Sequence, residues 1–137
     1  RHMAAYRTAG WLARFSLLNA PADMEQPRLF NALCLGLQRL ADAHRHPDSA
    51  HLVADAVVVG VCLTYLDEAG WLAVHPAGSR EAEQSQALLA MAAGTGPAPG
   101  LRVETWSAIR TWVLQQLRAA ECHVPDLPLG AKRQEGA

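Results

Sequence analysis

Residues 49–70 read S-A-H-L-V-A-D-A-V-V-V-G-V-C-L-T-Y-L-D-E-A-G, and this stretch decides the fold. Ser49 is a residue type that caps helix N-termini, and Gly70 is the type that most often ends a helix. Between them, apolar side chains leave almost no polar face. Because a helix that is apolar on all sides is a buried helix, the pattern predicts that the rest of the chain packs around it.

The composition predicts one compact, helix-rich domain. The 137 residues are 50% hydrophobic and 18% charged, and a chain of this length buries about 68% of its unfolded surface. A formal net charge of −1 gives no global attraction to nucleic acid or to an anionic membrane. The longest uninterrupted apolar run, residues 56–63, is shorter than the about 20 residues that span a bilayer. No membrane segment is therefore expected.

The three cysteines, Cys34, Cys62 and Cys122, are too far apart for a disulfide framework or a Cys-rich zinc site. Cys34 and Cys62 also lie within apolar helical runs. These positions favour buried, reduced thiols and a cytoplasmic protein.

Hydrophobic periodicity predicts an all-α, single-domain bundle of five helices: residues 4–18, 25–44, 49–70, 79–93 and 103–121. Asp23 and Ser79 are N-cap candidates for the second and fourth helices. We interpret residues 1–3 as a cloning remnant, residues 4–122 as the helical domain and residues 123–137 as an irregular tail that frays. The segment 71–76 is too short for a helix and is expected to be extended.

The second predicted helix carries a broad apolar stripe. Its members are Leu29, Phe30, Leu33, Leu37, Leu40 and Ala41. Gly36 lies at the edge of the stripe, where it permits another backbone to approach closely. Leu35 falls on the polar side, between Arg28 and Arg39. It is either an ordinary exposed leucine or the apolar centre of a partner-binding surface with an arginine rim.

The first predicted helix offers another candidate surface. Arg7 and Arg14 lie together on its flank, seven residues apart, while Tyr6 and Leu17 fall on the side away from the predicted core. Arginine beside exposed apolar side chains is a typical composition for a protein interface. This helix is therefore the second place where a partner is expected to bind.

The densest group of metal-type ligands surrounds the start of the central helix. It comprises Asp42, His44, His46, Asp48, His51 and Asp55. His51 and Asp55 are four residues apart and share a helix face that could meet one metal ion. No established metal-ligand spacing is present, however, and the sequence predicts neither a metal site nor a cofactor.

Asp55 is an acidic residue inside an otherwise apolar helix, and a buried carboxylate needs a partner or a raised pKa. We expect a salt bridge or hydrogen bond to an Arg or Trp of a neighbouring helix. The alternative is that Asp55 contacts a ligand. Cys62 lies about 16 Å along the helix from His51, which is too far for a Cys–His catalytic pair.

Four short sequence patterns occur along the chain in an order that resembles a known family. They are Ala5-Tyr6 with Trp11-Leu12-Ala13-Arg14-Phe15, then Leu29-Phe30-x-x-Leu33, then Pro47-Asp48 leading to Gly70-Trp71, and finally Trp106-x-x-Ile109-x-x-Trp112-Val113. Together they resemble the C-terminal helical domain of the DNA recombination mediator RecO. The family's N-terminal oligonucleotide-binding barrel and the Cys-x-x-Cys zinc motif of many members are absent from these residues.

The resemblance implies a role in recombinational DNA repair. Members of that family bind the acidic, hydrophobic tail of single-stranded-DNA-binding protein and the ring-forming partner RecR. Such a tail calls for an apolar pocket edged by arginine. On this interpretation Arg7 and Arg14, or Leu35 between Arg28 and Arg39, form the docking surface, and nucleic acid binding is weak or indirect.

We therefore predict a non-catalytic protein-interaction module and not an enzyme. Two alternatives remain. One is a helical regulatory domain that dimerises or binds a small ligand at Asp55. The other is a winged-helix DNA binder in which residues 71–76 form a wing strand, although the chain lacks a second strand pattern and a basic recognition helix.

Overall fold

The computed structural model describes residues 3–19, 25–43 and 45–126. Within these ranges the chain forms five α-helices, a short 3-10 helix at Pro47–Ser49 and no β-strand. The helices are α1 (Met3–Asn19), α2 (Pro27–Ala43), α3 (Ala50–Glu68), α4 (Arg80–Ala93) and α5 (Val103–Ala119). The prediction of an all-α bundle is confirmed. Asp23, His44 and residues 127–137 lie outside the described residues.

Helix α3 is the axis of the bundle and contacts each of the other four helices. Residues 57–66 are all buried, whereas residues 50–56 are half-buried or exposed. The predicted central helix is therefore enclosed along its second half only. By length and composition α3 would also be able to cross a membrane, but most of it is buried inside the protein, as in the core helix of a soluble fold.

Gly70 and Ser49, the residues predicted to end and to begin α3, differ in the hydrogen bonds that they form. At the C-terminus, Gly70 has φ of 80° and donates to the Asp67 carbonyl at 3.1 Å, while the Trp71 N–H donates to the Leu66 carbonyl at 2.8 Å. This is the Schellman arrangement expected for a terminal glycine. At the N-terminus Ser49 occupies the predicted N-cap position, but its hydroxyl donates backwards to the His46 carbonyl and accepts no capping hydrogen bond.

Helix α2 is rotated relative to the predicted apolar stripe. Its buried face consists of Leu29, Ala32, Gly36, Leu40 and Ala43. Phe30 is 69% exposed and Leu37 is 44% exposed, so their predicted burial is wrong. The reason is steric. The small residues face α3, and they bring the two helices closer than large side chains would allow.

Glycines mark the closest contacts of α3 with its neighbours. A Cβ at Gly36 would lie 2.8 Å from Cγ1 of Val57, and a Cβ at Gly60 would lie 3.1 Å from Cβ of Ala92. The predicted close approach at Gly36 is therefore confirmed. These two glycines bring α2 and α4 against α3.

The N-terminus of α2 is capped by a side chain from a different helix. The N–H groups of Arg28 and Leu29 donate to the two carboxylate oxygens of Glu68, each at 2.9 Å. The carboxylate satisfies two N–H groups that have no partner within the helix and lies at the positive end of its dipole. Arg28 also forms an ion pair with Asp67 at 2.7 Å.

Helix α1 and the segment after α5 hold each other in place. Phe15 packs between Trp11 and Tyr65 with ring centroids 5.4 Å apart on each side. The Trp11 indole N–H donates to the Pro125 carbonyl at 2.8 Å. The Asn19 amide donates to the His123 carbonyl and accepts from the His123 N–H, both at 2.7 Å. Residues 123–126 have the irregular backbone expected of the tail, and these hydrogen bonds hold them against α1.

Helix α4 begins as predicted, because the Ser79 hydroxyl accepts from the Ala82 N–H at 3.1 Å. The buried side of α4 consists of Leu88, Leu89, Met91 and Ala92, whereas Ala93 is exposed. The segment 71–76 is irregular and forms no strand, so the wing that a winged-helix domain needs is not built there.

Replacing Gly36 with Ala should lower the free energy of unfolding by about 1–3 kcal/mol, because the new Cβ would overlap Val57. Urea unfolding followed by circular dichroism measures the change. Gly10→Ala is the matched control, since the described part of the chain places no atom within 4 Å of a Cβ there. That control should gain about 0.5–1 kcal/mol, and an equal gain at Gly36 would contradict the close contact.

Replacing Glu68 with Ala should destabilise the domain by about 1–2 kcal/mol, the usual cost of losing a helix cap. Asp67→Ala is the control in the same helical turn. It removes only the ion pair with the exposed Arg28 and should cost less than about 1 kcal/mol. If the two variants lose similar free energies of unfolding in urea, the hydrogen bonds from the α2 backbone to Glu68 contribute nothing to stability.

Candidate functional site

The five residues predicted to bind a partner occupy three different environments. Arg7 and Arg14 are exposed on α1 and form no ion pair with any described residue. Arg28, at the start of α2, is held by Asp67. Leu35 and Arg39, farther along α2, are both half-buried.

Leu35 is not the exposed centre of a surface patch. A Cβ on Gly94 would lie 2.9 Å from Cδ1 of Leu35, so the leucine covers the end of α4. Of the two arginines predicted to rim Leu35, Arg28 is exposed and pairs with Asp67, and Arg39 is half-buried. The polar pattern around Leu35 was misleading because α4 packs against this side of α2.

Arg39 instead edges a cleft of about 320 Å³, which we call the α2–α4 cleft. Its apolar lining comes from α3 and α4, and includes Val53, Ala56, Val57 and Met91. Its edge comes from α2 and the turn after it, with Arg39, Asp42 and His46. An apolar cavity of this size with a few polar groups at its mouth is the usual form of a binding site.

The cleft exists because α4 ends before it covers the first half of α3. Gly94 has φ of 81° and turns the chain, with its N–H donating to the Met91 carbonyl at 3.1 Å. The following loop then forms a wall with Gly96, Pro97 and Ala98. Residues 94–100 are recognisable as a loop from glycine and proline, but no local signal places this loop opposite α2.

The chemistry of the cleft suits an apolar side chain with an anionic group beside it. The floor offers aliphatic carbon and a flexible methionine, which adapts to irregular shapes. The Arg39 guanidinium supplies a permanent positive charge and a planar array of donors that matches a carboxylate. Asp42 at the same edge would repel an anion placed next to it, so the Arg39 guanidinium is the group at which a carboxylate fits.

A second cavity of about 290 Å³ lies between α4 and α5. Leu63, Leu88 and Ile109 contribute apolar surface, and Trp112 and His75 lie along its side with ring centroids 6.4 Å apart. Glu81 is an acidic residue at this cavity. The sequence alone predicted neither this cavity nor the position of His75 beside it.

Asp55 is engaged by another helix, as expected. Its carboxylate accepts a hydrogen bond from the Arg110 guanidinium of α5, and both side chains are partly buried. The prediction of a salt bridge to a neighbouring arginine is confirmed. Asp55 lines neither the α2–α4 cleft nor the cavity between α4 and α5, so neither of these supports the alternative in which it contacts a ligand.

The described residues contain no group of three or more His, Cys, Asp and Glu side chains close enough to hold a metal ion. His46 and His51 are exposed, and His44 lies outside the described ranges.

The cysteines have three different surroundings. Cys62 is fully buried, and burial raises the pKa of its thiol far above the ordinary value. Burial also raises the pKa of Cys122 and of the adjacent Tyr65. Cys34 is exposed, so its predicted burial is wrong, because it lies on the side of α2 away from Gly36.

Comparisons with protein-family models, with curated proteins and with solved structures each gave no match to this chain. The fold and the site together define an all-α bundle with an arginine-edged apolar cleft. The resemblance to RecO stays a prediction.

Replacing Asp55 with Asn should destabilise the domain by about 1–3 kcal/mol, because it leaves the partly buried Arg110 charge without its partner. The double variant Asp55→Leu with Arg110→Met should recover part of this loss. Urea unfolding of Asp55→Leu, of Arg110→Met and of the double variant, each compared with the wild type, gives the coupling energy. Strictly additive losses would contradict the ion pair.

Proposed function

We propose that this domain is a non-catalytic, cytoplasmic protein-interaction module with an accessory role in recombinational DNA repair. One observation carries the proposal: the α2–α4 cleft combines an apolar floor with the Arg39 guanidinium at its edge. Proteins with this arrangement bind a short peptide by inserting an apolar side chain and pairing an acidic group with arginine.

The partner that fits best is the acidic, hydrophobic tail of single-stranded-DNA-binding protein. Its apolar side chain would occupy the floor near Val53 and Met91, and a carboxylate would pair with Arg39. The recombination protein RecR is the second proposed partner, and no particular surface is assigned to it. With a net charge of −1, the domain would act on DNA through these proteins.

Three features support a binding role over catalysis. Asp55 is committed to Arg110, and the burial of Cys62 keeps its thiol protonated and out of reach. The described residues also bring no cluster of three metal-type ligands together. The regulatory-domain alternative was a domain that dimerises or binds a small ligand at Asp55, and Asp55 lines neither the α2–α4 cleft nor the cavity between α4 and α5. The winged-helix alternative has no wing among residues 71–76.

A labelled peptide with the tail sequence of single-stranded-DNA-binding protein should bind the domain at low salt, as measured by fluorescence anisotropy. Arg39→Glu should weaken binding about tenfold or more, since it turns an attraction into a repulsion. Ala98→Trp should also weaken binding, because this exposed loop residue borders the cleft and a large ring there would fill it.

The control is Arg118→Glu, which makes the same change of charge at an exposed arginine of α5 and should leave the affinity within about twofold. Urea unfolding of each variant verifies the fold. Absence of binding by the wild-type protein at low salt would refute the proposed partner, and binding that survives both cleft variants would refute the proposed site.

A further inference from the structure

The outer side of α1 is an apolar seam that no described part of the chain covers. Tyr6 is 70% exposed and Leu17 is 83% exposed, and Gly10 and Ala13 between them are also exposed. The opposite side of α1 is the buried one, where Phe15 meets Tyr65 of α3. The seam therefore points away from the core.

The seam has the spacing of a coiled coil. Tyr6, Gly10, Ala13 and Leu17 are separated by four, three and four residues, which is the alternation of d and a positions in a heptad repeat. Glycine at an exposed helix position lowers the stability of the helix by about 0.5–1 kcal/mol relative to alanine. Packing within the domain does not require a glycine at position 10, because the described chain places no atom within 4 Å of a Cβ at Gly10. A helix lying against this seam would be able to approach closely at Gly10 and Ala13.

The charges beside the seam determine which side chains a docking helix must carry. With the seam residues at d and a, Arg7 and Arg14 both fall at e positions, which form the salt bridges between helices of a coiled coil. The two arginines are one heptad apart, about 10 Å along the helix. They form no ion pair with any described residue. The sequence of α1 contains no acidic residue.

We propose that this seam docks an amphipathic helix of another protein that carries apolar residues in heptad spacing and acidic residues beside them. The acidic side chains pair with Arg7 and Arg14, and the apolar ones pack on Tyr6 and Leu17. Helix α1 has 17 residues, so the contact extends for up to about 25 Å.

A second copy of this chain fits the seam less well. Pairing α1 with another α1 brings together helices that each carry two arginines and no carboxylate, and like charges across a coiled-coil interface disfavour pairing. The proposed occupant differs from the peptide proposed for the α2–α4 cleft, and the two surfaces use different residues. The seam does not rest on the proposed function of the cleft.

Two synthetic peptides of three heptads test the proposal on the full 137-residue chain. Both have leucine at a and d; one has glutamate at e and g, and the other has lysine there. Fluorescence anisotropy should give an affinity for the acidic peptide at least tenfold higher than for the basic one. The difference should shrink in about 0.5 M salt, where the Debye length is about 4 Å.

Variants locate the site. Leu17→Glu and Arg14→Glu should each weaken binding of the acidic peptide about tenfold. The matched controls are Val74→Glu, at a side chain that is 95% exposed outside the helices, and Arg118→Glu, at an exposed arginine of α5. Both controls should leave the affinity within about twofold, and urea unfolding verifies that every variant is folded.

Three results would overturn the proposal. They are equal affinity for the two peptides, undetectable binding of the acidic one, and binding that is insensitive to both seam variants. Sedimentation of the protein alone provides a further check, because a dimer that Leu17→Glu dissociates would mean that a second copy covers the seam.

Discussion

The contact between Gly36 of α2 and Val57 of α3 is the constraint on which the rest of the structure depends. A missing side chain at Gly36 lets α2 approach α3 until a Cβ would overlap the valine. This fixes the rotation of α2, because the side with Ala32, Gly36 and Ala43 then lies against the central helix, with Leu29 and Leu40 buried at its margin. Glu68 fixes the axial position, since its carboxylate reaches both the Arg28 and Leu29 N–H groups.

The exposed features of α2 follow from that rotation. Because the small residues of α2 face the core, Phe30 and Leu37 face outward. They do so although they are larger and more apolar than Ala32 and Gly36, which are buried. Arg39 is carried to the side where α4 ends, and there it borders Val53 and Met91. A rotation that buried Phe30 and Leu37 would have moved Arg39 away from this cleft. The position of the candidate site is therefore a consequence of helix packing.

Several parts of this architecture were predictable from the sequence. Residues 49–70 indicated the central helix because their apolar character is continuous, and Asp55 indicated an ion pair because a carboxylate in such a helix needs a partner. The terminal turns at Gly70 and Ser79 followed from local backbone chemistry. The cleft was not predictable, since it depends on where the loop after Gly94 lies relative to α2. The face of α2 was predicted wrongly because periodicity weighs large apolar residues, whereas close helix packing selects small ones.

The burial of Asp55 and Arg110 contrasts with the exposure of Arg7 and Arg14, and the contrast has a physical cause. A charge within the bundle requires a partner from the same chain, since an unpaired buried charge costs several kcal/mol. An arginine at the surface carries no such requirement, because water solvates it at little cost. Surface arginines therefore bear on function only where a specific geometry accompanies them. Here that geometry is the heptad spacing on α1 and the apolar cavity beside Arg39, and each limits the chemistry of its partner: an acidic helix for the first and an acidic peptide with an apolar side chain for the second.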